Sequence, residues 1–223
     1  MKKHILIIII SIISINLSNS QELKQVLFDV EYGIDFVGLD FSEAKFIGGE
    51  SEYAPSFDLK NKWIPNWNTL FYTQSEKFDI GRFLHKRNVI NNATYTIELN
   101  SNIDIDNMYS YQPYMNFSEE ELQKIVNRYN FKYENEVGVS LIVTSFDKPS
   151  KSAVIYVVWF NTKSLKIIKS IKRITQPKGA GFRNYWAGSI FYTIKDLEDI
   201  LIDLAKNQMD RKAFKAWSKW EKE

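Results

Sequence analysis

Three apolar stretches and a glycine-containing loop occupy the centre of this chain: VGVSLIV at residues 137–143, AVIYVVWF at residues 153–160, LKIIKSIKRI at residues 165–174 and PKGAGFRN at residues 177–184. The first stretch has an apolar residue at every second position, and the second is apolar throughout, as in a strand covered on both faces. Turn-forming residues separate the three, which predicts a meander of antiparallel strands. The loop leads into a helix predicted from Tyr185, whose apolar residues recur at the helical period.

The segments before this unit predict further strands and helices. Residues 27–49 have the composition of paired strands, and residues 93–99 alternate like a half-buried strand. Ser118 and Glu121 have the spacing of a capping box at the start of a helix. Together these elements predict an α+β fold with a mixed, largely antiparallel sheet, a C-terminal three-strand meander and covering helices.

The start of the chain has the pattern of an export signal. A basic segment, Met1–His4, precedes the apolar run Ile5–Leu17, and small residues before Gln21 suit signal-peptide cleavage. The apolar run is shorter than the roughly 20 residues that span a bilayer. We therefore expect an exported protein, periplasmic or extracellular, and not a lipoprotein, because no cysteine is present to carry a lipid. We expect a signal peptide at residues 1–20, a single α+β domain at 21–208 and an amphipathic helix at 209–223.

Composition limits the chemistry of this chain. Without Lys2 and Lys3, the 29 basic residues fall to 27, equal to the 27 acidic residues, so no net charge favours nucleic acid. The lack of cysteine excludes thiol nucleophiles, iron–sulfur clusters and thiolate zinc sites. One histidine, His85, follows residue 20, and its charged neighbours Lys86 and Arg87 favour a surface position. We expect no metal ion and no cofactor.

The glycine loop is a candidate anion site. Gly179 and Gly181 match two glycines of a dinucleotide-binding fingerprint, but the third glycine and a following strand are absent. Backbone N–H groups at the start of the helix, with Lys178 and Arg183 nearby, suit a phosphate or a carboxylate. The alternative is a structural corner between strand and helix, with Asn184 as the N-cap.

Two groups of aromatic residues are candidate contact surfaces. Tyr109, Tyr111 and Tyr114 lie in an irregular segment and suit contact with a glycan or a protein partner. In the C-terminal helix, Phe214, Trp217 and Trp220 share one side, opposite a row of basic residues. This helix suits an anionic membrane surface or a partner; the alternative is docking onto its own domain.

Asp35 and Asp40 are candidates for a carboxylate-based hydrolase, because both lie beside apolar strands. Hydrolysis by a carboxylate pair requires a defined separation between the two groups, and the sequence does not fix one. No other catalytic motif is present, so we expect a protein that is not an enzyme.

Several segments resemble a family of uncharacterised exported proteins of Bacteroidetes: GLDFS at residues 38–42, GVSLIV at 138–143, YVVWFN at 156–161 and GAGFRNYW at 179–186. That family has no assigned activity, so the resemblance implies export and no site residue. The order of strands, glycine bend and helix is also similar to envelope α/β modules of the curli secretion lipoprotein and penicillin-binding-protein activator type. This likeness implies a non-enzymatic assembly role.

These observations predict an exported cell-envelope protein that acts by binding or assembly, with an envelope protein as its unidentified partner. The alternative is a binding protein for a small anionic ligand or a glycan, and a carboxylate-based hydrolase is the third hypothesis.

Overall fold

The structure is a computed structural model, which describes residues 21–112 and 116–219. The strands are β1 (Ile34–Asp40), β2 (Lys45–Ile47), β3 (Val89–Asn91), β4 (Tyr109–Ser110), β5 (Val137–Asp147), β6 (Ser152–Asn161) and β7 (Ile167–Thr175). The helices are α1 (residues 21–28), α2 (Ser56–Asp58), α3 (Ile64–Asn68), α4 (Leu70–Thr73), α5 (Ile80–Leu84), α6 (Thr94–Asn100), α7 (Glu119–Val126), α8 (Phe182–Gln208) and α9 (Arg211–Trp217). Short 3-10 and π turns lie at Glu50–Glu52, Leu59–Trp63 and Ile105–Asn107.

The strands form one mixed sheet around β5. One edge of β5 pairs in parallel with β1 along its first half and with β2 along its last three residues. Strands β3 and β4 extend the sheet beyond β1 and β2, again in parallel. The other edge of β5 pairs antiparallel with β6, which pairs antiparallel with β7.

The prediction of a largely antiparallel sheet is wrong. Of the strand pairings within the described residues, four are parallel and two are antiparallel. The error comes from residues 27–49, which were expected to pair with each other. Instead residues 21–28 are helical, and β1 and β2 follow one another along the same edge of β5.

The expected strand at residues 93–99 is also wrong, since this segment forms helix α6. Its short alternating pattern fits a helix equally well, because Tyr95 and Leu99 are four residues apart, as are Thr96 and Asn100. Tyr95 and Leu99 pack against the smaller of two hydrophobic clusters. Thr96 and Asn100 are buried, and the Asn100 side chain donates to the Leu39 carbonyl of β1.

Two buried asparagine side chains complete the edge of β1 beyond the end of β3. The Asn68 amide accepts a hydrogen bond from the Leu39 N–H at 2.7 Å and donates one to the Leu39 carbonyl at 3.0 Å. Asn100 accepts from the Phe41 N–H at 2.8 Å and donates to the Leu39 carbonyl at 2.8 Å. A side-chain amide has the same donor and acceptor groups as a peptide unit, so this asparagine clamp (Asn68 and Asn100) replaces a neighbouring strand.

Helix α8 covers the larger hydrophobic cluster on one face of the sheet. The apolar stripe predicted for this helix is confirmed, and its buried members are Trp186, Ile190, Ile194, Leu197 and Leu201. On the opposite face, the shorter helix α7 packs over a smaller cluster that includes sheet residues Ile142, Val158 and Phe160. Within residues 21–112 and 116–219, no helix combines the length and apolarity needed to cross a membrane.

Candidate binding cavity

A cavity of about 880 Å³ lies between α7 and the carboxyl ends of the parallel strands β2, β4 and β5. Its volume falls within the range of roughly 300–1,000 Å³ that is usual for small-molecule sites. Ligands commonly bind beside the carboxyl ends of parallel strands. The lining includes apolar Ile47, Phe117 and Ile125, uncharged polar Ser110, Gln112, Thr144 and Ser145, and charged Glu43, Lys45, Glu121, Lys124 and Arg128.

A β-bulge in β5 shapes the sheet side of this cavity. The register with β6 shifts between Val143 and Ser145, so Thr144 is an extra residue that bends the strand. The Thr144 hydroxyl donates to the Val154 carbonyl at 3.2 Å. Ser145 is fully buried, and its hydroxyl forms no hydrogen bond within the described part of the chain. A buried hydroxyl without a partner costs about 1–3 kcal/mol, so Ser145 needs an explanation.

The capping box predicted at the start of α7 is confirmed and fixes the helix side of the cavity. Ser118 Oγ accepts from the Glu121 N–H at 3.2 Å, and Glu121 Oε2 accepts from the Ser118 N–H at 2.7 Å. Phe117, directly before the cap, packs against the cluster that contains Leu122, as a hydrophobic staple does. The helix therefore presents Ile125 to the cavity in a fixed orientation.

The charged side chains at the cavity differ in how they are paired. Arg128 forms an ion pair with Glu43 at 2.7 Å, and Glu121 is held by its own helix cap. Lys45 donates to the Asn107 carbonyl at 2.5 Å. Lys124 is exposed and forms no hydrogen bond or ion pair with other described residues. The charged lining therefore has an excess of one positive charge, because Lys45, Lys124 and Arg128 face only Glu43 and Glu121.

A buried network joins the chain after α7 to strands β1 and β5. The Tyr129 hydroxyl donates to Asp40 Oδ2 at 2.8 Å and lies 2.9 Å from Ser140 Oγ. The second Asp40 oxygen accepts from the Ser42 N–H at 2.7 Å. Burial raises the pKa of Asp40, although these hydrogen bonds oppose the shift, and burial also raises the pKa of Tyr129. The network holds the end of α7 against the sheet.

Asp35 is the other carboxylate singled out in the sequence, and it is also buried. Its oxygens accept hydrogen bonds from Asn92 Nδ2 at 2.9 Å and from the backbone N–H groups of Glu134 and Asn135 at 3.1 and 2.6 Å. Neither Asp35 nor Asp40 lines the cavity. Both carboxylates bind groups of their own chain and connect loops to β1.

The glycine loop forms a tight corner. Helix α8 begins at Phe182, three residues before the predicted start, and Gly181 occupies the N-cap position that was expected for Asn184. Gly179 has a φ of +143°, and a Cβ atom there would lie 2.5 Å from the Asn184 carbonyl oxygen. Only glycine fits this position, because both the backbone angle and the space exclude a side chain.

Each basic residue of the loop contacts an aromatic residue, Lys178 through its side chain and Arg183 through its backbone carbonyl. Lys178 Nζ lies 4.9 Å from the ring centre of Tyr192, and the Arg183 carbonyl accepts from Trp67 Nε1 at 3.1 Å. No residue of this loop lines the cavity beside α7. Anion binding by the loop stays a prediction, and the loop is separate from the cavity.

Of the three tyrosines predicted as contact residues, the structure describes two, and neither lines the cavity. Tyr109 is half-buried, and its hydroxyl donates to the Ala54 carbonyl. Tyr111 is 82% exposed, and its neighbours Ser110 and Gln112 both line the cavity. Tyr114 lies outside the described residues. Tyr111 itself does not line the cavity, and its hydroxyl lies beside Gly49.

The C-terminal helix packs onto the domain through Trp217. This residue is 6% exposed, stacks on His85 with ring centres 4.4 Å apart and meets Phe28 edge to face. Phe214 is half-buried, and Trp220 lies outside the described residues. Trp217 therefore has little surface for a membrane or a partner while α9 is docked.

The prediction of a surface position for His85 is wrong. His85 is 5% exposed and ends α5 in a left-handed conformation, with a φ of 52°. Its Nε2 lies 3.7 Å from Glu198 Oε1. Burial lowers the pKa of His85, although the Glu198 charge opposes this shift. The sequence argument failed because the ring is covered by Trp217, which is distant in the sequence.

The cavity residues were not identified from the sequence. The available signal was weak: Thr144 and Ser145 interrupt an apolar strand with two adjacent hydroxyl side chains. Lys124 and Arg128 are four residues apart on one predicted helix, which is ordinary for a solvent-exposed face. Their common cavity exists only because β5 and α7 pack together.

Comparisons with known proteins identify no relative of this chain. In residues 21–112 and 116–219, no group of three or more His, Cys, Asp and Glu side chains has the arrangement of a metal site. The chain matches no protein-family model, and no curated protein matches its sequence.

Proposed function

We propose that this protein is a non-enzymatic binding protein that holds a small, largely apolar ligand in the cavity beside α7. The observation that carries this proposal is the cavity of about 880 Å³ at the carboxyl ends of three parallel strands. Ile47, Phe117 and Ile125 supply apolar lining, and a few polar groups lie between them, which is the usual composition of a ligand pocket.

The proposal keeps the class of function expected from the sequence and gives it a different location. Binding of a small anionic ligand or a glycan was the alternative hypothesis from the sequence, and it was assigned to the glycine loop and the tyrosine segment. The cavity adjoins the tyrosine segment through Ser110 and Gln112, whereas the glycine loop does not contribute to it. The physical support for the new location is that a concave apolar site removes more of the apolar surface of a ligand from water than an exposed loop does.

Binding is tested with an amphipathic fluorescent probe, anilinonaphthalene sulfonate, together with native mass spectrometry of the purified protein. Gln112→Trp places a large side chain at the exposed rim of the cavity, and we expect it to weaken probe binding about tenfold. Gln176→Trp is the matched control, because Gln176 is exposed and does not line the cavity. Equal probe affinity in the wild type and Gln112→Trp would contradict the proposal, as would no binding to the wild type.

Export and an envelope partner belong to the same proposal. They rest on the signal-like residues 1–20 and on the resemblance to exported envelope proteins. Cell fractionation with N-terminal sequencing of the mature protein tests export, and the expected first residue is Gln21. A pull-down from envelope fractions, repeated with a variant truncated before Met209, tests whether the C-terminal helix contributes to partner binding.

A further inference from the structure

Ser145 is distinguished from the other hydroxyl residues of β5 by its lack of a partner. Ser140 Oγ lies 2.9 Å from the Tyr129 hydroxyl, and Thr144 donates to the Val154 carbonyl. Ser145 Oγ is buried and forms no hydrogen bond among the residues the structure describes. It also lies on the α7 side of the sheet, because its partner Val154 belongs to the cluster under α7.

The exposed side of the cavity has the opposite character. Lys124 is solvent-exposed and has no hydrogen bond or ion pair within the described residues. Glu43 is paired with Arg128, whereas Glu121 caps its own helix and acts on Lys124 through its charge without forming an ion pair. A cation in this position favours an anionic group that remains partly hydrated.

We propose that the ligand is an amphipathic monoanion with an uncharged hydrogen-bonding group at its far end. Its anion lies against Lys124 at the mouth, its apolar body contacts Ile125, and its distal hydroxyl or carbonyl pairs with Ser145. The distal group is uncharged because a buried charge facing a single hydroxyl would lose more hydration energy than one hydrogen bond returns. This inference rests on the proposed function and specifies its ligand class, of which ω-hydroxy carboxylic acids are the simplest members.

Ser145 would then determine specificity. A ligand with a distal hydroxyl satisfies the buried Ser145 group, whereas an analogue that ends in a methyl group leaves it unpaired. We expect the wild type to bind ω-hydroxydecanoate roughly tenfold more tightly than decanoate, because one additional hydrogen bond in a buried site changes the affinity by about this factor.

The experiment compares ω-hydroxydecanoate, decanoate, decanol and decanediol by isothermal titration calorimetry. Ser145→Ala should remove the preference for ω-hydroxydecanoate over decanoate and leave the melting temperature unchanged or higher, because no folded-state hydrogen bond is lost. Ser189→Ala is the matched control: Ser189 is equally buried, its hydroxyl also lacks a partner, and it lies on α8. This control should keep the full preference.

Lys124→Gln tests the other end of the ligand. It should weaken binding of both carboxylates and leave decanol and decanediol unaffected, whereas Lys163→Gln, at an exposed site away from the cavity, should change none of them.

The outcomes separate this inference from the proposed function. If the fluorescent probe binds in the cavity but the wild type does not prefer ω-hydroxydecanoate, the inference is wrong and the proposed function stands. A preference that survives in Ser145→Ala also overturns the inference. If neither the fluorescent probe nor any of the four compounds binds, the proposed function fails together with the inference.

Discussion

Lys86 carries a charged group that is almost completely removed from water. The side chain is 1% exposed, and its Nζ donates to the Asp29 carbonyl at 2.5 Å. Burial lowers the pKa of Lys86 to about 8, although the Asp29 charge opposes the shift. The sequence placed this lysine beside a surface histidine; both residues are buried, because the chain around them packs against distant segments.

Replacement of Lys86 should reveal the cost of this burial. The folded-state pKa lies below the ordinary value of 10.5, so the stability contribution of Lys86 is present above pH 10.5 and is lost as the pH falls through about 8. Lys86→Met should therefore exceed the wild type in free energy of unfolding by a larger margin at neutral pH than above pH 10.5. The two margins should differ by up to about 3 kcal/mol. Urea unfolding at both pH values measures the difference, with exposed Lys163→Met as the control; a difference independent of pH would contradict the burial argument.

At the scale of elements, the asparagine clamp joins α3 and α6 to the edge of β1. Each amide pairs with backbone groups that β3 and β4 do not reach. The adjacent Gly38 has a φ of +100°, and a Cβ atom there would lie 2.6 Å from Asn68 Oδ1. The pairing of β1 with β5 shifts register between Phe36 and Gly38, so the close approach of the two helices to β1 depends on glycine at this β-bulge as well as on the amides.

Loss of one amide from the clamp should be strongly destabilising. Asn68→Ala leaves the buried Leu39 N–H without a partner, and we expect the free energy of unfolding to fall by about 2–4 kcal/mol. Exposed Asn102→Ala should cost less than about 0.5 kcal/mol. Chemical denaturation measures both, and native-state hydrogen exchange at the Leu39 amide should accelerate only in Asn68→Ala. A small effect on both observables would show that β1 does not depend on the clamp.

At the scale of the whole molecule, the C-terminal helix returns the chain to its beginning. Met209 and Asp210 interrupt the helical path, and Asp210 caps α9 through the N–H groups of Lys212 and Ala213. Trp217 then packs between His85 and Phe28. Residues from both ends of the described chain thus belong to one hydrophobic cluster.

Trp217→Ala should therefore destabilise the whole fold by about 3–5 kcal/mol, as loss of a large buried aromatic side chain does. Lys215→Ala, on the exposed side of the same helix, should have an effect below about 0.5 kcal/mol. Thermal unfolding measures both variants, and sedimentation with anionic vesicles tests the alternative role of α9. Unchanged melting with loss of vesicle binding in Trp217→Ala would support an outward-facing helix instead.

Local features were predictable from the sequence because neighbouring residues determine them. The capping box of α7 depends on Ser118 and Glu121 alone, and the buried stripe of α8 depends on helical spacing. The same local reasoning failed at residues 93–99. These seven residues fit both the two-residue period of a strand and the 3.6-residue period of a helix, and packing against β1 selected the helix. It also failed at the N-cap of α8, where the turn conformation of Gly181 moved the helix start.

By itself the sequence determined that this is an α+β protein with a long amphipathic helix after a glycine corner, because apolar periodicity and turn residues are local properties. Only the tertiary structure decided the direction of strand pairing, since alternation along β1 is the same beside a parallel or an antiparallel neighbour. It also decided the burial of Lys86 and Trp217, and the meeting of Ser145 with Lys124 at one cavity. These features depend on contacts between residues far apart in the chain, and a single sequence carries no local record of them.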